Sequence, residues 1–141
     1  MSTNPLLATV RGIYEAFQRG DIASILDTLA DDVAWESWTD NSAQAAGVPW
    51  LKAGTGKGAA AAFFQGAASM TIHHVEVRDF LTSESQVAVE FVIEATAPSG
   101  YRYRDEELHL WSFNATGKVV RMRHYTDTAK HIRAAAAPGR S

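Results

Sequence analysis

From Thr71 to Tyr125 the chain passes through four stretches of strand-like pattern, roughly Thr71 to Leu81, Gln86 to Ala97, Tyr101 to Phe113 and Lys118 to Tyr125. Only Ser83-Glu84-Ser85, Pro98-Ser99-Gly100 and Asn114-Ala115-Thr116-Gly117 separate them, and these are turn-forming residues. Strands joined this tightly pair antiparallel, because a parallel pair needs a crossover of a dozen or more residues. The second half of the chain is therefore a meander, and what precedes it has to cover one of its faces.

The first half supplies the cover. Pro5 to Arg19 sets Leu6, Val10, Ile13, Tyr14 and Phe17 at helical spacing, and Gly20 fits its stop. Asp21 fits the cap of a second helix that uses Ile22, Ile25, Leu26 and Leu29 and ends near Asp31-Asp32. Val33 to Trp38 reads as a short strand, with Val33, Trp35 and Ser37 on one face and Ala34, Glu36 and Trp38 on the other. Thr39 to Gly54 reads as a long loop that holds Trp50 and is placed to act as a lid. Thr55 is the expected cap of a third helix running to about Ser69, and Thr126 or Asp127 that of a last helix through Ala137. Helices before a meander predict an α+β fold, a sheet wrapped around helices. The expected organisation is one domain over residues 1–133 and a frayed tail over 134–141.

Composition narrows the function. With 141 residues and a net charge of -3, the chain has no basic field for a phosphate backbone, so nucleic acid is not an expected partner. No apolar run reaches the ~20 residues needed to span a bilayer, and no secretory leader is evident. The absence of cysteine removes thiolate nucleophiles and thiolate metal ligands, and it fits a cytoplasmic location.

Four local patterns resemble the SnoaL-like branch of the nuclear transport factor 2-like superfamily. They are Tyr14-Glu15-Ala16-Phe17-Gln18-Arg19-Gly20-Asp21, Leu29-Ala30-Asp31-Asp32-Val33-Ala34-Trp35, Gly56-Lys57-Gly58 before Phe63-Phe64, and Gly117-Lys118-Val119-Val120-Arg121-Met122-Arg123-His124-Tyr125-Thr126-Asp127-Thr128. The resemblance implies a cone, a strongly curved mixed sheet closed by helices around a mostly apolar pocket. It also implies a homodimer through the outer sheet. Function is left open, since this scaffold hosts isomerases, cyclases, dehydratases and non-catalytic binders.

Ketosteroid isomerase, a relative in that superfamily, works with an acidic base and an oxyanion hole made of a tyrosine and a protonated aspartate. Matching its pattern puts Ile13 at the tyrosine, Ser37 at the base and His109 at the aspartate. All three roles are changed, which excludes steroid isomerisation by that mechanism. If His109 faces inward, alternation places Asp105, Glu107 and Trp111 beside it, and Val120, Met122 and His124 on the next strand. The Asn114–Gly117 hairpin would pair the strands of His109 and His124.

Two readings follow. In the first, a cofactor-free isomerase, cyclase or dehydratase moves protons on an apolar or cyclic carbonyl compound. His109 and His124 are then acid and base and Glu107 tunes them, with Tyr14, Trp35, Ser37, Trp50, Phe64, Trp111 and Met122 lining the pocket. In the second, the same pocket binds a small apolar ligand without chemistry, and His109 is a hydrogen-bonded core histidine. No metal is expected. His73 and His74 are adjacent on a strand and point to opposite faces, so they cannot share an ion. Gly54-Thr55-Gly56-Lys57-Gly58 lacks the hydroxyl residue after lysine that a phosphate loop requires. It reads as a flexible helix entry.

Overall fold

The computed structural model describes residues 4–36, 38 and 40–136. Asn4 caps helix α1 (Pro5–Gln18): its side chain accepts from the Leu6 and Leu7 amides, and Pro5 follows at a position that needs no amide hydrogen. Helix α2 (Ile22–Leu26) is capped by Asp21, as its position suggested, but is shorter than expected. The chain is already extended at Leu29, so strand β1 spans Leu29–Trp35. The long segment that follows is not a bare loop. It contains helix α3 (Ser42–Ala45), a 3₁₀ turn (Pro49–Leu51) and strand β2 (Gly54–Thr55).

Helix α4 (Lys57–Ala68) precedes the meander, formed by β3 (Thr71–Thr82), β4 (Gln86–Thr96), β5 (Arg102–Phe113) and β6 (Val119–Tyr125). Helix α5 (Thr128–Ala136) closes the order. Lys130 donates its amide to the Asp127 carboxylate, the expected cap. Residue 133 does not end the packed structure. Helix α5 continues to Ala136, and Ala134 is fully buried, because it sits on the far end of the sheet beside Ala97 and Tyr103.

The sheet is six-stranded and mixed, in the order β2-β1-β6-β5-β4-β3. Among the described residues only β1 and β6 pair in parallel, the other neighbours being antiparallel. Opposite Phe113 an extra residue enters β6, and this bulge turns Val119 rather than Val120 fully inward. The main core joins Val10, Ile13 and Ala16 of α1 and Ile25 of α2 to Phe64 of α4, Trp35 of β1, Val89 of β4, and Trp111 and Met122 of β5 and β6. A second core at the other end packs Ala43, Val48, Trp50 and Leu51 against Ala95, Tyr103 and Ala134. The segment expected to act as a lid is thus folded onto the body of the protein.

The glycine-rich entry to α4 has a conformational reason. Gly56, not Thr55, is the residue before the helix, and its φ of 93° and ψ of 170° belong to a region open essentially to glycine. Gly58 lies inside the helix, where a Cβ would meet nothing within 4 Å. Gly56→Ala is therefore expected to destabilise by ~1–3 kcal/mol, and Gly58→Ala to be stabilising by ~0.4–1 kcal/mol. Urea unfolding of the two variants checks the contrast.

Candidate functional site

Strands β5 and β6 put His109 directly opposite His124, with ring centroids 4.4 Å apart. Both line a cavity of about 120 Å³ whose other described lining residues are apolar apart from Tyr14 and Glu107. Trp35, Phe64, Trp111 and Met122 line it as expected. Tyr14 enters it directly although Ile13 lies in the same wall. Its hydroxyl lies 2.6 Å from His109 Nδ1 and accepts from Trp111 Nε1 at 3.1 Å.

The direction of this chain fixes a tautomer. An indole nitrogen can only donate. The arrangement that uses every group has Trp111 donating to Tyr14, Tyr14 donating to Nδ1, and the His109 proton on Nε2. Burial keeps the Tyr14 proton in place by raising its pKa strongly. Among the described residues, Nε2 of His109 and Nε1 of Trp35 are both buried without a hydrogen-bond partner. Burial, reinforced by the charge of His124, holds the His109 pKa well below its usual 6.5. His109 is a neutral ring.

His124 is the opposite case. Its Nε2 lies 2.5 Å from Glu107 Oε1, and its Nδ1 lies 3.3 Å from Glu36 Oε2, an ion-pair contact without hydrogen-bond alignment. Burial works against the imidazolium, but Glu107 and Glu36 outweigh it and push the pKa up to about 10. Burial alone would raise the pKa of Glu107; His124 and His131 instead hold it well below the usual carboxylate range.

Glu36 and His131 were not singled out in the sequence. Strand alternation turns Glu36 away from Trp35, yet both are fully buried. The reason is a left-handed φ of 54° at Glu36, where β1 ends. The Gln44 side chain holds the Glu36 carbonyl, and the Glu36 carboxylate takes the His124 amide at 3.1 Å. No sequence signal marks that dihedral. His131 sits in α5, a helix carrying no recognised motif. Its Nε2 lies 3.0 Å from Asp105 Oδ2 and 2.9 Å from Glu107 Oε2, while Trp50 Nε1 donates to its Nδ1 at 2.9 Å. Burial and the neighbouring Glu107 raise the pKa of Asp105 in spite of its bond from His131.

The other expected residues fall elsewhere. Ser37 lies outside the described residues. Trp50 is absent from the lining of the main cavity; it borders an adjoining one of about 60 Å³ together with His124 and His131. Trp38 packs edge-on against Tyr125, with Arg123 over its ring. His73 and His74 are exposed, on Thr96 and Glu76 respectively.

Asp105, Glu107 and His131 gather their donor atoms within 4.8 Å of one another, near enough to encircle a cation. The set does not fit one. An imidazole bound to a metal through Nε2 carries its proton on Nδ1 and gives it to an acceptor. Here Nδ1 faces an indole N–H, which is a donor.

A family model for the SnoaL-like domain matches residues 10–122. The chain belongs to the SnoaL-like family. No curated protein matches it. Among solved structures, an NTF2-like protein from Burkholderia pseudomallei K96243 is 29% identical, with 96% of this chain and 100% of that one covered and a TM-score of 0.76. An NTF2-like protein from Burkholderia xenovorans LB400 is 24% identical over 96% and 98%, with a TM-score of 0.73. TerC, crystallised with polyporic acid, is 21% identical over 93% and 98%, with a TM-score of 0.73. The last two show likeness of fold. No helix among the described residues is long and apolar enough to cross a membrane.

The two histidines predict a stability profile. The raised pKa of His124 stabilises the fold in full below the unfolded value near 6.5, and that contribution is lost as pH climbs through about 10. His109 has the reverse sign: the unfolded chain takes up a proton near pH 6.5 that the folded chain refuses, so stability falls below that pH. The urea midpoint should peak close to neutrality and fall on both sides. In His124→Gln, the loss between about pH 7 and 10 should shrink.

Proposed function

We propose that this SnoaL-like protein is a cofactor-free enzyme that polarises the carbonyl of a small, neutral, cyclic compound and moves a proton beside it. The observation that carries the reading is the unpartnered Nε2–H of a neutral His109, fixed from behind by Tyr14 and Trp111. A buried donor left unpaired costs ~1–3 kcal/mol, which an acceptor oxygen on a ligand relieves. Trp35 Nε1 offers a second such donor in the same wall. The His124 imidazolium next to His109 favours negative charge growing on that oxygen. Glu107, the carboxylate in the lining, is the group assigned to take the proton. A cavity of about 120 Å³ suits one ring, since ~150 Å³ holds a benzene. Glu36 and Glu107 nearby disfavour an anionic ligand.

One observation favours a binding module instead. Glu107 is held anionic by two histidines, which makes it a weak base. Ring-sized ketones incubated with the protein in deuterated water separate the two readings. An enzyme washes deuterium into the carbon beside the carbonyl, whereas a binder broadens ligand signals and returns the compound unlabelled. His109→Ala should lower exchange by ~10²–10³-fold, as removal of an oxyanion donor does. Tyr14→Phe should lower it by the ~2–10-fold that one hydrogen bond is worth. Unchanged exchange in folded His109→Ala removes that residue from the chemistry.

The homodimer belongs to the same proposal, supported by the exposed apolar residues Ile72, Val75, Val77 and Leu81 on β3. Sedimentation equilibrium showing only monomer at micromolar concentration would contradict it.

A further inference from the structure

Trp50 lies in the segment expected to cover the pocket, yet its ring is packed in the second core and its one polar atom is spent on His131. That bond is buried, 2.9 Å long, and possible only if His131 Nδ1 offers a lone pair. The remaining proton of a neutral His131 then sits on Nε2, which is 3.0 Å from Asp105 Oδ2 and 2.9 Å from Glu107 Oε2. Glu107 is thereby gripped at both oxygens, by His131 on one side and by His124 on the other. Asp105 is tied in turn by the Asp127 amide at 3.2 Å. The run Trp50, His131, Glu107, His124 is continuous and ends at the ring set edge-on against His109.

We propose that Trp50 is a positioning residue: its indole N–H locks His131 as the Nε2–H tautomer, which aims Glu107 at His124 and bars a metal ion from the Asp105–Glu107–His131 set. The lock acts without touching the main cavity. It accounts for a tryptophan whose nitrogen, unlike that of Trp35, has a buried partner. Reversing the tautomer would set two donors face to face at Trp50 and leave Nε2 without the proton that both carboxylates share. The bearing on chemistry rests on the role proposed for Glu107; the tautomer does not, and it is read without any substrate.

Long-range ¹H–¹⁵N correlation spectra of the imidazole nitrogens test the lock in the unmodified chain. Against the effect of burial, Asp105 and Glu107 raise the pKa of His131, so the spectrum is taken above it, where His131 should show a protonated Nε2 and a bare Nδ1; a protonated Nδ1 on that neutral ring overturns the proposal. Trp50→Phe removes the donor and keeps a ring in the core. His131 should then move toward mixed tautomers or the cation, and an unchanged signature overturns the lock. Cobalt(II) supplies an independent arm. The unmodified chain should show no visible ligand-field band at one equivalent, and Trp50→Phe should bind the ion about ten-fold more tightly or better, the scale of such outer-shell effects. The band should vanish when His131→Gln is added. Equal binding by both chains, or by neither, overturns the barring of metal. If Trp50→Phe fails to fold, the spectrum of the unmodified chain still decides. Loss of the deuterium exchange assay as a whole would sink the enzyme reading and leave this one standing.

Discussion

The contact between His124 and Glu107 is an ion pair in a place where water does not compensate charge. Removing ions from water is expensive, and such a pair persists only when its geometry is good and its remaining valences are met. The remaining valence of Glu107 is met by the His131 proton on its other oxygen; that of His124 Nδ1 is met by charge alone, without hydrogen-bond alignment to Glu36. His124 is flanked by Glu36 on its other nitrogen, and Glu107 by His131 on its other oxygen. The elements around the pair can be read as what is required to keep it. The end of β1 delivers Glu36, α5 delivers His131, the 3₁₀ turn delivers Trp50, and the β5–β6 register delivers the pair itself.

The same pair divides labour between two chemically identical side chains. His124 carries the charge because two carboxylates surround it. His109 lies 4.4 Å away and is neutral because it is buried beside that charge and has a phenol as its partner. Both nitrogens of His124 face carboxylates, so it serves as a field and an anchor. His109 keeps one nitrogen unspoken for, and this makes it the better candidate to touch a ligand. The acid/base pair expected from the residues, led by His109, thus becomes a polariser backed by a fixed cation.

Much of this was legible in the residues. Alternation along Tyr101 to Phe113 put Asp105, Glu107, His109 and Trp111 on one face, and the short turn at Asn114 to Gly117 forced that strand against the one bearing His124. These inferences depend on periodicity and chain connectivity, which are local. Where local rules broke, the readings broke with them. A single left-handed dihedral at Glu36 reversed the face of a carboxylate. A bulge exchanged Val119 for Val120. The segment around Trp50 resembled a lid because turn-rich composition does not reveal what its buried tryptophan packs against.

The sequence by itself determined an α+β meander wrapped on helices, and the pairing of the strands that carry His109 and His124, because hydrophobic period and hairpin length are written along the chain. Only the tertiary structure decided the protonation of those histidines. A proton's place depends on which groups converge from distant segments, and Glu36, Trp50 and His131 come from three of them. Their approach is set by packing, which no spacing along the chain encodes.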